Sequence, residues 1–450
     1  MDSALFEKLT ALPKKHLPLM QNTMHTIWNH PETGYHEWDT QAFLLSEMEK
    51  LGYRDFVKAG DIPGFYVDID TGIPGPTLVM MGEMDSIINA SHPNCDRDTG
   101  AAHACGHHCQ SSALLGTAAA LKEEGALDGL CGKIRLMFVP AEELLELGYR
   151  EELRKKGIIE FYGGKVELIR RGFFDDADLC IMMHTGDGKG KYGTSTGSNG
   201  CLVKTITYRG KAAHAGGAPH DGINALYAAN LGMTAVNALR ETFRDEDHIR
   251  FHPIVTSKPG AVNVIPDLVT LETYVRGGTL KAILDANRRI NRALAASAAA
   301  IGAEVTITDR TGYSPVDNDE NMLSLSKEVM GSIVGQENII EAGWDNGCTD
   351  MGDISCIFPT IHPHCSGAEG DGHGANYLIT DDASALVLPA QYFLGMAAEL
   401  LGNGGEKAKT ILANKHTLYA SIPEYLEAVR SINRDIDGVT YTETGAELRY

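Results

Sequence analysis

The chain has 450 residues, of which 43% are hydrophobic and 22% charged, so it can bury a large core and form two domains. Lysine and arginine together number 39 against 60 aspartates and glutamates, and the formal net charge is −21. This balance argues against nucleic acid or an anionic membrane as the main partner. A small anionic substrate would need positive charge supplied locally.

The nine cysteines are scattered without regular pairing. Residues 1–20 contain charged side chains and no long apolar core, so they do not resemble a secretory signal. We expect no segment to reach the roughly 18 consecutive apolar residues that a membrane span needs. The sequence therefore predicts a cytoplasmic protein with reduced thiols rather than a disulfide framework.

The first half of the chain alternates between helical and strand patterns. Residues 4–52 predict helices with a turn at residues 30–34, where Pro31 and Gly34 oppose helix. Strands separated by helical stretches indicate an α/β fold, with a central mixed sheet flanked by helices. The predicted strands are residues 64–70, 77–81, 133–139 and 178–183.

A run of histidine and cysteine residues lies between the second and third of these strands. Cys105 and His107 are two residues apart, so both can face one ion, and thiolate and imidazole together favour zinc or a related metal. A Cys-x-His pair is more often an ordinary buried cysteine near a structural histidine. The Ala-rich residues 113–121 predict a buried helix, with Ser111 or Ser112 able to cap its start.

Acidic residues and a histidine follow three of the strands at the points where they end. Glu83 and Asp85 follow the second strand, and His184 follows the fourth. Glu142 and Glu143 follow the third. Because ligand sites in open α/β sheets lie outside the carboxyl ends of the strands, we expect these side chains to meet at one site.

The adjacent glutamates Glu142 and Glu143 could have two different chemical roles. Neighbouring residues on an ending strand point in different directions, so one carboxylate can bind a metal while the other accepts a proton from water. Two adjacent glutamates are usually solvated loop charges. The apolar residues 136–139 directly before them argue against idle surface charge.

The composition changes near residue 198, after a Gly/Ser/Thr-rich connector at residues 193–200. A strand, a helix, two strands, a helix and a strand follow, which is the split βαβ arrangement of a ferredoxin-like α+β domain. The predicted strands are residues 201–208, 248–255, 262–275 and 303–309. We expect four segments: a first part of the catalytic domain (1–197), an inserted lid and dimerisation domain (198–314), a second catalytic part (315–402) and a C-terminal extension (403–450). The extension is expected to pack on the main domain or on a partner subunit.

Several short motifs along the chain resemble, in the same order, those of the metal-dependent M20 peptidases and amidohydrolases. The resemblance is to the aminoacylase-like branch in particular, which includes hippurate, auxin-conjugate and aminobenzoyl-glutamate hydrolases. The resemblance runs from about residue 30 to residue 401. It rests on His-Pro-Glu-Thr-Gly (30–34), Glu-Met-Asp (83–85), His-Ala-Cys-Gly-His (103–107), Pro-Ala-Glu-Glu (140–143), Met-His (183–184), Gly-Lys-Ala-Ala-His-Ala (210–215) and Asn-Val-Ile-Pro-Asp (263–267).

The resemblance implies a site with two divalent metal ions, zinc, manganese or cobalt. The implied metal ligands are Cys105 as the bridge, His107, Glu143, His184 and His373. It implies catalytic roles for Glu142 as general base, for Asp85 in orienting a ligand, and for His214 in steadying the oxyanion at a neighbouring subunit's site. Asn263 and Arg276 are the implied substrate-binding residues.

Some positions depart from the family pattern. His108 and Gln110 stand where the family usually has Asp and His, which makes His108 a further candidate ligand. Glu83 stands where related members often carry Asp. His373 is preferred over the nearby His362 and His364 because the segment after it is similar to the family's final motif.

The resemblance implies a homodimeric amidohydrolase that cleaves the amide bond of an N-acyl or N-aroyl amino acid. A dipeptidase of the same fold is the close alternative, and a catalytically idle binding or scaffold homologue is the alternative of another class. An idle homologue would have little physical reason to keep Glu142 together with every implied ligand, and all of them are present. The sequence therefore favours catalysis.

Overall fold

The computed structural model describes residues 3–186, 188, 190–257 and 260–450. The helices are α1 (Ser3–Ala11), α2 (Leu17–Trp28), α3 (Trp38–Lys50), α4 (His107–Leu121), α5 (Leu147–Lys155), α6 (Gly164–Arg170), α7 (Ala225–Asn237), α8 (Leu280–Ile301), α9 (Glu320–Val334), α10 (Met351–Ser355), α11 (Leu388–Leu401), α12 (Glu406–Ala413) and α13 (Ile422–Arg430).

The strands are β1 (Val57–Lys58), β2 (Phe65–Asp70), β3 (Thr77–Glu83), β4 (Ile87–Ile88), β5 (Ala101–Ala102), β6 (Lys133–Val139), β7 (Leu179–Met182), β8 (His184–Thr185), β9 (Tyr192–Thr194), β10 (Gly197–Ser198), β11 (Gly200–Arg209), β12 (Arg250–Phe251), β13 (Ile254–Val255), β14 (Leu268–Gly277), β15 (Glu304–Tyr313), β16 (Val316–Asp317), β17 (Ile339–Glu341), β18 (Trp344–Asp345), β19 (Thr360–Ile361), β20 (His364–Cys365), β21 (Ala368–Glu369), β22 (Leu378–Ile379), β23 (Arg434–Asp437), β24 (Val439–Thr442) and β25 (Gly445–Leu448).

The chain divides into two compact units, each made of several segments. The first unit consists of Met1–Gly197, Val316–Asp345 and Asp350–Ile422. The second consists of Ser198–Pro315, Asn346–Thr349 and Pro423–Tyr450. The four segments expected from the sequence, with their bounds, stay predictions.

The first unit is built on a mixed sheet with the strand order β1-β2-β6-β3-β7-β19. The pairings β6–β3, β3–β7 and β7–β19 are parallel, whereas β1–β2 and β2–β6 are antiparallel. The four strands predicted in this half are confirmed, with ends shifted by at most two residues. The mixed central sheet flanked by helices is therefore confirmed. Its parallel part brings the ends of β3, β6 and β7 to one edge.

Helix α4 lies against β3, and every one of its residues is buried. The expected start near Ser111 or Ser112 is wrong, because the helix begins at His107 after Gly106. The Ser111 hydroxyl instead donates to the backbone carbonyl of Glu83 (2.5 Å), and the Ser112 hydroxyl to that of His108 (2.6 Å). The helix start therefore carries His107 itself into the edge of the sheet.

One segment corrects the expectation that nothing in the chain is apolar enough to span a membrane. Ala383–Leu401, a π-helical turn followed by α11, has the required length and composition. Of its most apolar stretch, 94% is buried inside the protein. Its residues belong to the hydrophobic core of the first unit, which accounts for their apolar character.

The second unit is a sheet with the order β12-β14-β11-β15-β23, and helices α7 and α8 pack against it. The expected α+β arrangement is confirmed, with two corrections. Residues 248–255 form the two short strands β12 and β13 on either side of Pro253, and β14 begins only after Pro266. A proline has no N–H to donate to a strand partner, which explains both interruptions. Residues 258 and 259 of the predicted loop lie outside the described residues.

The C-terminal extension follows the expectation only in its first part, because its residues up to Ile422 belong to the first unit and Pro423–Tyr450 to the second. Strand β23 pairs antiparallel with β15 and extends the sheet of the second unit. Tyr441 on β24 donates its hydroxyl to the carbonyls of Ala298 and Ala303 (3.3 and 2.8 Å). The sequence after residue 422 therefore packs on the inserted domain rather than on the main one, because β15 offers it an unpaired strand edge.

A buried ionic network joins this tail to the second unit. The Lys204 ammonium pairs with Asp309 and donates to Asn291 (2.6 Å). Asp309 also accepts from Asn287 (2.7 Å) and from Arg434 on β23 (3.1 Å). Lys204 and Asp309 are fully buried, so each charge depends on the other for compensation.

Replacing Asp309 with alanine should destabilise the second unit by ~3–5 kcal/mol, because it leaves the Lys204 ammonium buried without its charge partner. Urea unfolding gives the loss of stability, and hydrogen exchange of the β15 and β23 amides shows where it occurs. The control Asp285→Ala, which breaks an exposed ion pair with Lys281, should leave both nearly unchanged. Wild-type exchange in the Asp309 variant would contradict the importance of this network.

Candidate metal centre

A tight turn places Cys105 and His107 at the start of α4. Gly106 between them has a φ of 109°. A Cβ atom at this position would lie 2.8 Å from the carbonyl oxygen of Thr185 and 2.8 Å from the hydroxyl of Tyr377. Glycine is therefore required here both for the backbone conformation and for the space.

Asp85, just after β3, orients His107. Its Oδ1 lies 3.0 Å from His107 Nδ1, and its Oδ2 accepts the backbone N–H of Glu143 at 2.8 Å. The Nε2 atom of His107 is buried and lies 3.2 Å from Glu83 Oε2, but it makes no well-aligned hydrogen bond to any residue that the structure describes. A buried ring whose one nitrogen is fixed by a carboxylate and whose other nitrogen lacks a hydrogen bond has the arrangement of a metal ligand.

The first group of potential ligands consists of Cys105, His107 and His184. Their donor atoms all lie within 4.8 Å of one another. The Cys105 sulfur is 3.4 Å from His184 Nε2. His184 begins β8, and its backbone N–H donates to the carbonyl of Pro363 (3.0 Å).

The second group consists of Cys105, Glu143 and His373. His373 Nε2 lies 3.0 Å from Glu143 Oε1. His373 has a φ of 65°, and hydrogen bonds hold its backbone on both sides. Its N–H donates to Ala104 (2.7 Å), and its carbonyl accepts from the Asn89 side chain (2.9 Å).

The two groups share the sulfur of Cys105, so this residue is placed to bridge two ions. One thiolate with imidazoles and a carboxylate is a donor set that suits zinc and related first-row ions. The residues present therefore fit a dinuclear site. The structure brings together the site residues that the sequence predicts in the first unit, and their roles stay predictions; they are Asp85, Cys105, His107, Glu142, Glu143, His184 and His373.

In the second group, Cys105 and Glu143 are held in the ionised forms that bind a metal ion, whereas His373 is held in its protonated form. Burial opposes ionisation of the Cys105 thiol, but the positive charges of His107 and His184 outweigh it and lower its pKa to about 6. Burial also opposes ionisation of Glu143, yet its hydrogen bond with His373 lowers its pKa to about 2. Hydrogen bonds with Cys105 and Glu143 raise the pKa of His373 to about 11. A bound metal would therefore replace protons on the imidazoles rather than on the thiolate or the carboxylate.

Glu142 has the opposite character from its neighbour. It is 7% exposed, and its carboxyl belongs to a donor group with His107 and Glu143. Burial, followed by the charges of Glu83 and Glu143, raises the pKa of Glu142 well above the usual value of a carboxyl group. A carboxyl group whose pKa is raised above its usual value suits general acid and base chemistry.

The other histidines near the site are placed differently. His362 and His364 flank His184, with ring centroids 6.0 and 5.5 Å from it, but neither belongs to a ligand group among the residues that the structure describes. His108 also belongs to none. Its ring packs against Trp28 and His103 at centroid distances of 5.0 and 5.1 Å.

Sequence reasoning missed Lys165 and Asp350, which lie beside Glu83. The Lys165 ammonium contacts both carboxylates, and all three side chains are fully buried or nearly so. The available signal was a lysine close to the apolar residues Val166, Leu168 and Ile169 of α6, and the structure shows residues 164–169 to be buried. A buried lysine requires a compensating charge, but the sequence did not show which carboxylate supplies it.

The remaining predicted site residues belong to the second unit. His214 forms a β-bridge with Val264, and the N–H of Ala215 donates to the carbonyl of Asn263 (3.0 Å). Arg276 lies on β14 with its guanidinium 5.5 Å from the ring centroid of Tyr274. His214 and Asn263 are therefore neighbours in this unit, and their roles stay predictions.

Comparison with known proteins decides the family. A model of peptidase family M20/M25/M40 matches residues 79–398, which is more than half of the chain. The chain belongs to this family. Its relatives include a p-aminobenzoyl-glutamate hydrolase subunit and an N-acetyl-L-cysteine deacetylase.

Three relatives differ in how much of the chain they match. The Xaa-Arg dipeptidase of Mus musculus is 31% identical over 266 residues, covering 58% of this chain and 57% of the mouse protein. A p-aminobenzoyl-glutamate hydrolase subunit of Escherichia coli is 28% identical over 255 residues, covering 55% and 48%. The chain thus spans only about half of the length of these two. The N-acetyl-L-cysteine deacetylase of Bacillus subtilis is 26% identical over 393 residues, covering 85% and 88%.

Solved structures support the M20 fold. A putative aminohydrolase from methicillin-resistant Staphylococcus aureus superposes with a TM-score of 0.69 at 21% identity, covering 88% of this chain and 99% of that one. The dinuclear metal-binding M20 peptidase YXEP of Bacillus subtilis superposes with a TM-score of 0.63 at 19% identity, covering 86% and 99%. At these identities the likeness establishes the fold alone.

In the metal-free protein, Cys105 should react with iodoacetamide at neutral pH, because a pKa of about 6 leaves it as thiolate. The reaction rate should fall as the pH decreases through about 6, since protonation removes the nucleophile. Mass spectrometry of the modified peptide measures the rate, and added zinc or manganese should protect the thiol. A Cys105 that reacts only near the ordinary pKa of a thiol would contradict this electrostatic account.

Proposed function

We propose that the protein is a dinuclear metal-dependent amidohydrolase that cleaves the amide bond of an N-acyl or N-aroyl amino acid. The observation that carries the proposal is the pair of ligand groups that share the Cys105 sulfur, with the Glu142 carboxyl in the same cluster. Membership of the M20 family supports the same class of reaction.

The candidate site residues of the first unit would have two roles, metal binding and proton transfer. The ligands Cys105, His107, Glu143, His184 and His373 would hold two divalent ions (zinc, manganese or cobalt), which when bound supply Lewis-acid polarisation of the amide carbonyl. Glu142 would accept the proton of the attacking water and deliver it to the leaving amine nitrogen. Its raised pKa supports this role, because the acid form must persist until the amine leaves.

His214 would steady the oxyanion from a neighbouring subunit, as the family resemblance implies. Its Nδ1 accepts the backbone N–H groups of Gly217 (2.9 Å) and Gly216 (3.2 Å), which places the proton of a neutral ring on Nε2. An Nε2–H group can donate to the developing oxyanion. Asn263 and Arg276 would contact the substrate. The homodimer and the cytoplasmic location stay expectations from the sequence.

The relatives favour a small acylated amino acid as the substrate. The names of the Escherichia coli and Bacillus subtilis relatives specify p-aminobenzoyl-glutamate and N-acetyl-L-cysteine. A dipeptidase is the second candidate, since the mouse and human Xaa-Arg dipeptidases are 31% and 32% identical over their matched regions. An idle homologue is disfavoured, because it would gain nothing from burying Glu142 among potential metal ligands.

Replacing Glu142 with glutamine should lower kcat by about 10²–10⁴-fold, the usual contribution of a general acid and base. The metal content should remain at the wild-type value, because glutamine keeps the shape and the implied ligands are unchanged. Steady-state kinetics and elemental analysis measure the two quantities. The control Glu124→Gln, at an exposed position, should alter neither. Full activity of the Glu142 variant would disprove its assigned role.

The substrate class is tested with N-acyl amino acids, p-aminobenzoyl-glutamate and dipeptides. Metal-stripped protein is assayed after manganese, zinc or cobalt is added back, and we expect metal-dependent cleavage of the acylated amino acids. Cleavage restricted to dipeptides would favour the second candidate. Absence of cleavage in a fully metal-loaded protein would count against the proposed reaction.

A further inference from the structure

A second cluster of carboxylates adjoins the proposed metal centre. Donor oxygens of Glu83, Glu142 and Asp350 lie within 4.8 Å of one another, and all three side chains are buried. Such a cluster has the composition of a site for a hard cation such as calcium. Three carboxylates this close cannot all stay ionised in a buried place without a positive charge among them.

The chain supplies that positive charge itself. The ammonium of Lys165 donates to Glu83 Oε1 (2.5 Å) and to Asp350 Oδ1. The backbone N–H of Lys165 donates to the other oxygen of Asp350 at 2.9 Å, so this carboxylate is held at two points. Burial would lower the pKa of Lys165, but the charges of Asp350 and Glu83 outweigh burial and raise it. The lysine thus remains an ammonium ion.

Glu83 links this ammonium to the metal centre. Its Oε2 accepts the side-chain N–H of Gln110 (2.8 Å) and lies 3.2 Å from His107 Nε2. The other nitrogen of His107 is held by Asp85. The His107 ring therefore lies between two carboxylates: Asp85 holds it at Nδ1, and Glu83, which Lys165 positions, lies beside Nε2.

We propose that Lys165 is a positioning residue whose ammonium fills the cation position among three carboxylates and holds Glu83 against His107. Through the same cluster it keeps the carboxyl group of Glu142 in place for proton transfer. This inference rests on the proposed amide hydrolysis for its catalytic consequence. Its consequence for cation binding is independent of any substrate.

Removing the ammonium should leave three carboxylates without their cation. In Lys165→Ala we expect the cluster to bind one calcium ion per chain, which the wild-type protein does not bind there, because oxygen donors suit calcium. Isothermal titration of the zinc-loaded proteins with calcium chloride measures this gain. Asp350→Asn added to Lys165→Ala should abolish it by removing one of the three carboxylate groups.

The effect on the metal centre is measured by spectroscopy and kinetics. The visible absorption spectrum of the cobalt-loaded Lys165→Ala variant should differ from that of the wild type, because Glu83 no longer holds His107. We expect kcat and kcat/KM to fall together by ~100-fold, a loss typical of misplaced catalytic groups. The matched control Lys133→Met, which removes an exposed partner of Asp176, should match the wild type in all three measurements.

The outcomes separate this inference from the proposed function. A changed cobalt spectrum and a gained calcium site support the role of Lys165 even if no amide is cleaved. A lower kcat with an unchanged spectrum and no calcium site would overturn it, since a merely structural role gives that result. If Lys165→Ala does not fold, Asp350→Asn alone serves as the second variant. An unchanged cobalt spectrum in that folded variant would also overturn the inference.

Discussion

The contacts of the Asp85 carboxylate join the separate parts of the metal centre. One oxygen fixes the ring of His107 at the start of α4, and the other holds the backbone of Glu143 after β6. Asp85 itself follows β3, the strand between β6 and β7. A single buried side chain therefore sets the distance between two implied ligands that lie 36 positions apart in the sequence.

Charge balance is the second constraint on the site. The site buries carboxylates and a thiolate in a chain that is strongly acidic overall, so each negative charge needs a specific partner. On one side the partners are imidazoles that a metal ion can replace. On the other side the partner is the permanent ammonium of Lys165. The imidazole side of the site can therefore accept metal ions, whereas the cation position on the other side is occupied by the Lys165 ammonium.

The departures from the M20 pattern become consistent once the side chains are placed. Gln110 donates to Glu83, so the two unusual residues are partners of each other. His108 points into an aromatic cluster with Trp28 and His103 rather than towards the ligands. The orientation of His107 that a neighbouring aspartate could have provided is supplied by Asp85 and Glu83. The altered residues therefore leave the ligand groups complete.

The sequence by itself determined the elements of the main sheet, because strand periodicity and turn residues are local properties. It also determined which residues are candidate ligands, since their motifs follow the ends of strands that parallel pairing brings to one edge. The family resemblance already favoured His373 over His362 and His364, but only the tertiary structure showed how it reaches Glu143, through a backbone at positive φ that Asn89 and Ala104 hold. The tertiary structure also decided the pairing of β23 with β15 and the placement of Lys165 among three carboxylates. These contacts join residues more than 80 positions apart. No local pattern in a sequence specifies which distant residue compensates a buried charge or which distant strand pairs with an open strand edge.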